Sequence, residues 1–327
     1  MKFPIRLIPD DTKIPFMRLR VVNFTLSGIL SVLSIVLFIF VGPEYGIDFR
    51  GGTIIEVKPI SQSVDVGSIR SSITGLGLGD VQVTEVTDID GETSILIRIQ
   101  QQDGGEDAQQ LAIGQVRMAL GDAVEFRRVE IVGPRVSGEL AFNGAIGMAV
   151  ALFGIMIYIW FRFEWQFAVG AIVSTLHDLI VTLGFFALFK LEFNLASIAA
   201  LLTIVGYSLN DTVVVYDRIR ETLRKYKKMP IDQLIDRAIN DTLARTTVTG
   251  LTTLIALGSL YLFGGAVISD FVLAMMFGVL IGTYSSIFIA APMLIYFGLR
   301  PGDLDKDKDK EAEKGKDGAG AAKPAGA

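Results

Sequence analysis

The sequence has no cysteine, one histidine and two tryptophans in 327 residues. Without cysteine there is no disulfide, no thiolate metal site and no thiol nucleophile. A lone histidine, His177, argues against a histidine-rich metal centre. No internal repeat is visible. The net charge of −5 says little, because much of the acid lies in the stretch 42–138 and in the C-terminal tail.

Apolar sequence is abundant. The chain is 51% hydrophobic with a mean hydropathy of +0.50. That exceeds an ordinary soluble protein and fits a polytopic membrane protein. Six runs are long enough to span a bilayer: 21–41, 139–161, 166–189, 195–216, 246–263 and 271–298. The first follows Lys13, Arg18 and Arg20, as a signal peptide would. It is long, and no small-x-small cleavage site follows 40–42, so a retained signal anchor is expected.

Basic residues set the expected orientation. Lys2, Arg6, Lys13, Arg18 and Arg20 crowd the arm 1–20. Arg218, Arg220, Arg224, Lys225, Lys227, Lys228 and Arg237 crowd the segment 217–245. The positive-inside rule puts both on the cytoplasmic side. Both termini are then cytoplasmic, and the insertion 42–138 is periplasmic.

That insertion changes period along its length. Residues 53–58, 81–86 and 94–99 alternate as strands, with a turn at 88–91. Residues 64–74 and 107–120 have helical spacing, with Leu111, Val116 and Leu120 expected near one face. A last strand is expected over 123–132. The order β-α-β-β-α-β predicts a ferredoxin-like α+β domain. It carries no catalytic cluster and reads as a packing or docking module. The expected fold is an α-helical membrane protein with six transmembrane helices and this one periplasmic domain. The segment 217–245 reads as a helical, solvated cytoplasmic linker. The tail 299–327 is low-complexity and expected to be disordered.

The informative residues lie inside the apolar runs. Asn210 and Asp211 interrupt the fourth. A carboxylate at that depth costs about 2.5–3.5 kcal/mol on insertion scales, so it faces protein or water. Ser174, His177, Asp178 and Thr182 share the third run. Arg245, Thr249, Thr252 and Ala256 form a stripe at the start of the fifth. Apolar surroundings favour a neutral acid and a guanidinium favours the carboxylate, so an acid between the two can load and release protons. Blander readings stand beside this one. Arg245 can be an interface anchor, Asp211 can lie near the interface, and His177 with Asp178 can be a structural pair. Ala274, Gly278, Gly282, Ser286 and Ala290 repeat at four-residue spacing, which predicts close helix packing. Ala141, Ala145 and Ala149 do so more weakly.

Several motifs occur in order: GIDFRGG at 46–52, VGPRVSGEL at 132–140, and His177-Asp178. GYSLNDTVVVYDRIRE at 206–221, NDTLART at 240–246 and GTYSS at 282–286 follow. From about Arg18 to Leu299 the chain resembles the SecD/SecF family of bacterial protein-export membrane proteins, on the SecF side. The resemblance implies one half of a resistance-nodulation-division body of twelve spans, completed by SecD. It implies an inner-membrane subunit, not an enzyme, with no cofactor or metal. Its partners would be SecD, the SecYEG translocon and an unfolded polypeptide, with YajC and YidC as further candidates. It would use the proton gradient after the SecA ATPase has acted. The family's fourth-span Asp and fifth-span Arg map onto Asp211 and Arg245, with Asn210, Asp178 and His177 beside them. A fourth-span Asp of SecD would complete the site. Gly46, Asp48, Gly51 and Gly52 would form a hinge between the spans and the periplasmic domain. Two alternatives stay open: a proton-coupled exporter of small molecules or lipids, and a passive scaffold whose charges only pair helices.

Overall fold

In lipid every backbone N–H and C=O must be bonded within its own segment, so the long apolar runs become helices. The computed structural model describes residues 8–9, 12–60, 65–87, 93–265 and 268–300. The turn expected at 88–91, the tail from 301 on, and Lys2 and Arg6 lie outside the described residues.

A short 3-10 turn, Phe16–Leu19, leads into α1 (Arg20–Phe40). Then come β1 (Glu44–Tyr45), α2 (Ile47–Arg50), β2 (Gly52–Pro59), α3 (Val66–Thr74), β3 (Val81–Thr87) and β4 (Thr93–Ile99). They are followed by α4 (Gly105–Leu120) and β5 (Val124–Val132). The membrane part resumes with α5 (Pro134–Arg162) and α6 (Trp165–Phe189). After β6 (Glu192–Phe193) come α7 (Leu195–Lys225), α8 (Ile231–Phe263) and α9 (Ser269–Ser285). A π-helical stretch, Ser286–Ala290, runs into α10 (Ala291–Tyr296). Among the described residues six helical stretches are long and apolar enough to cross a membrane.

The inserted domain has a four-stranded antiparallel sheet in the order β3-β4-β2-β5. Alternation in β4 buries Ile95, Ile97 and Ile99 and turns Leu96 and Arg98 to the other face. The buried face packs on Ile69 and Ile73 of α3 and on Ile113, Val116 and Leu120 of α4. Leu111 is not part of that seam; it is 70% exposed. It stands five residues before Val116, about 140° round the helix from it. An aspartate cap starts α3, where Asp65 accepts from the Ser68 N–H at 2.8 Å.

The fourth and fifth helices outrun the expected spans. At 31 residues, α7 is about 46 Å long, against a hydrocarbon core of about 30 Å. The excess packs against the start of α8. Ile219, Leu223, Leu234, Ile235, Ala238 and Ile239 are buried there. The segment 217–245 is therefore a packed helical hairpin, not a solvated linker. Arg237 closes its turn by lying 4.5 Å from the centre of the Tyr226 ring. The N-terminal arm docks on the same hairpin. Asp236 accepts from the Met17 N–H at 2.8 Å, Asn240 accepts from the Ile14 N–H at 3.0 Å, and Arg20 pairs with Asp232 at 2.7 Å.

Candidate functional site

Helices α7 and α9 lie side by side along the stripe of small residues. A methyl group built on Gly278 would lie 2.4 Å from Ile204, and one on Gly282 would lie 2.9 Å from the Ser208 Cβ. Further along, the Tyr216 hydroxyl donates to the carbonyl of Ala290 at 3.0 Å. Each pairing is 74 residues apart in sequence, so the two helices run parallel in one register. The stripe therefore has its neighbour within the chain. The weaker alanine stripe on α5 does not pack in this way, since Ala145 and Ala149 are exposed. Gly144 makes the close approach instead, with its absent Cβ 2.8 Å from Ile198.

Close backbones place two carboxylates among hydroxyl groups. Asp211 on α7 is 7% exposed. Its Oδ1 accepts from Thr246 on α8 at 2.8 Å, and its Oδ2 accepts from Ser286 at 2.7 Å. Asp178 on α6 is fully buried. Its Oδ2 accepts from Ser208 on α7 and from Ser285 at 2.7 Å. His177 Nδ1 lies 3.0 Å from Asp178 Oδ1. Thr182 turns away, donating to the Asp178 carbonyl at 2.7 Å. Ser174 Oγ, Thr175 Oγ1 and His177 Nε2 are buried without a hydrogen-bond partner among the described residues.

The structure thus gathers four helices round the two acids, and among the described residues two of the expected members make no direct bond to them. Arg245 is exposed and makes no direct ion pair among the described residues, although its charge acts on Asp211 from the neighbouring helix. Thr246, the next residue, takes the contact with Asp211 instead. Asn210 is also exposed, beside Thr203 and Gly206 on the outward face of α7. Arg245 and Thr252 are exposed on α8. Such polar groups at span depth are costly against lipid.

The glycine motif at 46–52 ties the inserted domain to α7. Strand β1 pairs in parallel with β6, matching Glu44 to Glu192 and Tyr45 to Phe193. The Gly46 N–H donates to the Phe193 carbonyl at 2.9 Å. Any side chain on Gly46 would meet Glu192, 2.5 Å from a Cβ. Gly51 and Gly52 have φ of 73° and 127°, and a Cβ on Gly52 would lie 2.5 Å from the Ile99 carbonyl. Asp48 accepts from the Leu195 N–H at 2.9 Å, at the start of α7. Asn194 and Ser197 complete the start of α7 with a capping box.

A second tie uses charge. Glu192 pairs with Arg98 of β4, and its N–H donates to Asp270 at 2.8 Å. Burial, helped by Asp270 and Asp48, holds the Glu192 carboxyl above the usual range against the pull of Arg98. These groups line a cleft of about 550 Å³ beneath the open face of the sheet. Sequence reasoning missed Arg98 and Glu192, because neither interrupts a pattern. Among the described residues no group of three or more His, Asp or Glu is placed to hold a metal ion.

Six membrane helices, an α+β domain inserted after the first and two buried carboxylates define a multi-pass membrane protein. The family model "Protein export membrane protein SecD/SecF, C-terminal" matches residues 113–300, and "SecD/SecF GG Motif" matches 36–59. Protein translocase subunit SecF of Cereibacter sphaeroides is 46% identical over 308 residues, 92% of this chain and 95% of that protein. Protein translocase subunit SecDF of Brucella abortus is 44% identical over 301 residues, 92% of this chain but 39% of that protein. The crystal structure of SecDF, a translocon-associated membrane protein from Thermus thermophilus, matches with a TM-score of 0.78 at 33% identity. That match covers 90% of this chain and 40% of the other. The chain thus spans about two-fifths of the SecDF proteins and nearly the whole of the SecF protein. It belongs to the SecD/SecF family of protein-export membrane proteins.

Proposed function

We propose that the chain is the SecF-type accessory subunit of a Sec protein translocase, and that with SecD it uses the proton-motive force to complete polypeptide export. It acts as a transport subunit and not as an enzyme. It lies in the bacterial inner membrane with both termini in the cytoplasm, in keeping with the basic residues of the arm and of the α7–α8 hairpin. The inserted domain is then periplasmic. Its element order and its sheet order β3-β4-β2-β5 support a ferredoxin-like classification.

The observation that carries the reading is Asp211, a buried acid in a span whose oxygens accept from the hydroxyls of Thr246 and Ser286. It is the proton carrier. A proton that crosses a potential of 100 mV yields about 2.3 kcal/mol. Arg245, exposed on the outward face, is its electrostatic partner once SecD covers that face. Asn210 lies on the same face, where a SecD carboxylate completes the site. Asp178 and His177 form the inner part of the pathway. The SecDF relatives, which fuse the two names in one chain, support the pairing with SecD. SecYEG receives the assembled pair, and YajC and YidC are further contacts. The relatives are translocase subunits, which favours a polypeptide substrate over a small molecule or lipid.

The test is Asp211→Asn in membrane vesicles that contain SecD. This change keeps shape and hydrogen bonding but removes the titrating proton. Export stimulated by a proton gradient should be lost while the variant still co-purifies with SecD. Full stimulation in Asp211→Asn vesicles would remove the carrier role and favour a passive scaffold.

A further inference from the structure

Ser285 and Ser286 are consecutive, yet they serve different carboxylates. Ser285 donates to Asp178 and Ser286 to Asp211, both at 2.7 Å. Neighbouring residues on a helix point about 100° apart, so one turn can reach two partner helices. Each hydroxyl also has a second acceptor on its own helix. Ser285 Oγ is 3.1 Å from the Gly282 carbonyl, and Ser286 Oγ is 3.0 Å from the Thr283 carbonyl. The two fallback acceptors are consecutive as well.

The setting differs above and below this pair. On the N-terminal side Gly278 and Gly282 press on Ile204 and Ser208 without room for a methyl group. Ser208 in turn donates to Asp178. On the C-terminal side the α-helix gives way to the π-helical stretch that begins at Ser286 itself. Such stretches are rare and concentrate at functional sites. Tyr216 grips the far end of the stretch through the Ala290 carbonyl. Helix α7 therefore holds the π stretch at both ends, by Asp211 and by Tyr216.

We propose that the Ser285–Ser286 pair is a two-way joint that couples the charge states of Asp178 and Asp211. An ionised carboxylate accepts from its serine. When that carboxylate gains a proton its pull on the donor weakens, and the hydroxyl swings to its own helix carbonyl. Because both fallback carbonyls belong to one turn, release of one serine shifts the turn that carries the other. The serines carry no proton; they position the two acids, so loading of one alters the readiness of the other. This rests on the proton-carrier reading of Asp211.

The experiment measures gradient-stimulated export and its pH profile in SecD-containing vesicles. Variants are Ser285→Ala, Ser286→Ala, the double variant, Ser285→Cys and Asp211→Asn. Ser285 does not touch Asp211. The coupling nevertheless predicts that Ser285→Ala cuts stimulated export on the order of tenfold, the weight of one hydrogen bond to a charged group. It also displaces the pH profile. The double variant should lose no more than the larger single loss, because one joint is broken once. Ser285→Cys, a weak donor of similar size, should recover part of the rate. An unchanged rate and profile in Ser285→Ala, or a double loss equal to the product of the single losses, would overturn the coupling. So would an equal loss in Ser285→Ala and Ser285→Cys with an undisplaced profile, which marks simple packing damage. If Asp211→Asn abolishes stimulation and Ser285→Ala does not reduce it, only the joint fails. If Asp211→Asn keeps stimulation, the carrier reading fails and takes the joint with it.

Discussion

The carboxylate of Asp48 accepts a hydrogen bond from the backbone N–H of Leu195, 147 residues further along the chain. It joins the glycine motif to the first turn of α7, the helix that carries Asp211. An acceptor there satisfies a free N–H, and its negative charge is stabilised by the positive end of the helix dipole. The start of α7 is thereby tied to the chain only four residues before β2 begins at Gly52.

Asp48→Ala should therefore loosen this junction. A lost helix-end acceptor costs about 1 kcal/mol. The thermal midpoint should fall by a few degrees, and protease cleavage within 46–52 should quicken. Unchanged cleavage would show that the β1–β6 pairing holds the junction alone.

Gly282→Leu should disrupt the α7–α9 seam, because even a methyl group would sit 2.9 Å from the Ser208 Cβ. Overpacking of this kind costs about 1–3 kcal/mol. Lower thermal stability is expected, with loss of gradient-stimulated export. Gly154→Leu on α5 is the control, since nothing among the described residues stands within 4 Å of its missing Cβ. Equal damage from both changes would place the fault elsewhere than in the seam.

Much of this architecture is legible in the sequence because lipid leaves few options. Apolar runs longer than the bilayer had to be helices, and the period-two runs Thr53–Ile55–Val57 and Ile95–Ile97–Ile99 had to pair. Helix ends were less legible. Hydropathy drops at Asp217 although α7 continues to Lys225, held by the buried Ile219 and Leu223. Rotation about a helix axis was the least legible. One residue is about 100°, and that separates Arg245, which points outward, from Thr246, which binds Asp211. Ser286 was picked out by spacing as a packing residue, and the same spacing hides its hydroxyl bond to Asp211. Ala145 and Gly144 trade places for the same reason.

Orientation is open to a simple check. A reporter that works only in the cytoplasm, fused after Tyr226 in the α7–α8 turn, should be active. Fused after Gly104, just before α4, it should be silent. The reverse pattern would invert the placement of the inserted domain.

The Arg98–Glu192 contact links β4 of the inserted domain to the α6–α7 connection, so its charge state bears on docking. The Glu192 carboxyl faces Arg98, Asp270 and Asp48, and burial raises its titration above the usual glutamate range. An acid whose docked pKa exceeds its free value binds its proton more tightly when docked. Linkage then makes docking firmest below the free value and weaker as pH rises through the raised one. The sign opposes the intuition that an ion pair must tighten as the acid ionises, because desolvation outweighs Arg98 here. Since the chain has no cysteine, spin labels can be placed cleanly at Gln82→Cys and Lys190→Cys, on the two sides of a neighbouring cleft. The short-distance population should shrink as pH rises from acid toward neutral. Glu192→Gln, a permanent mimic of the protonated acid, should hold that population constant across the range. A population that instead grows with pH, or the same pH response in Glu192→Gln, would show that Glu192 does not set the docking equilibrium.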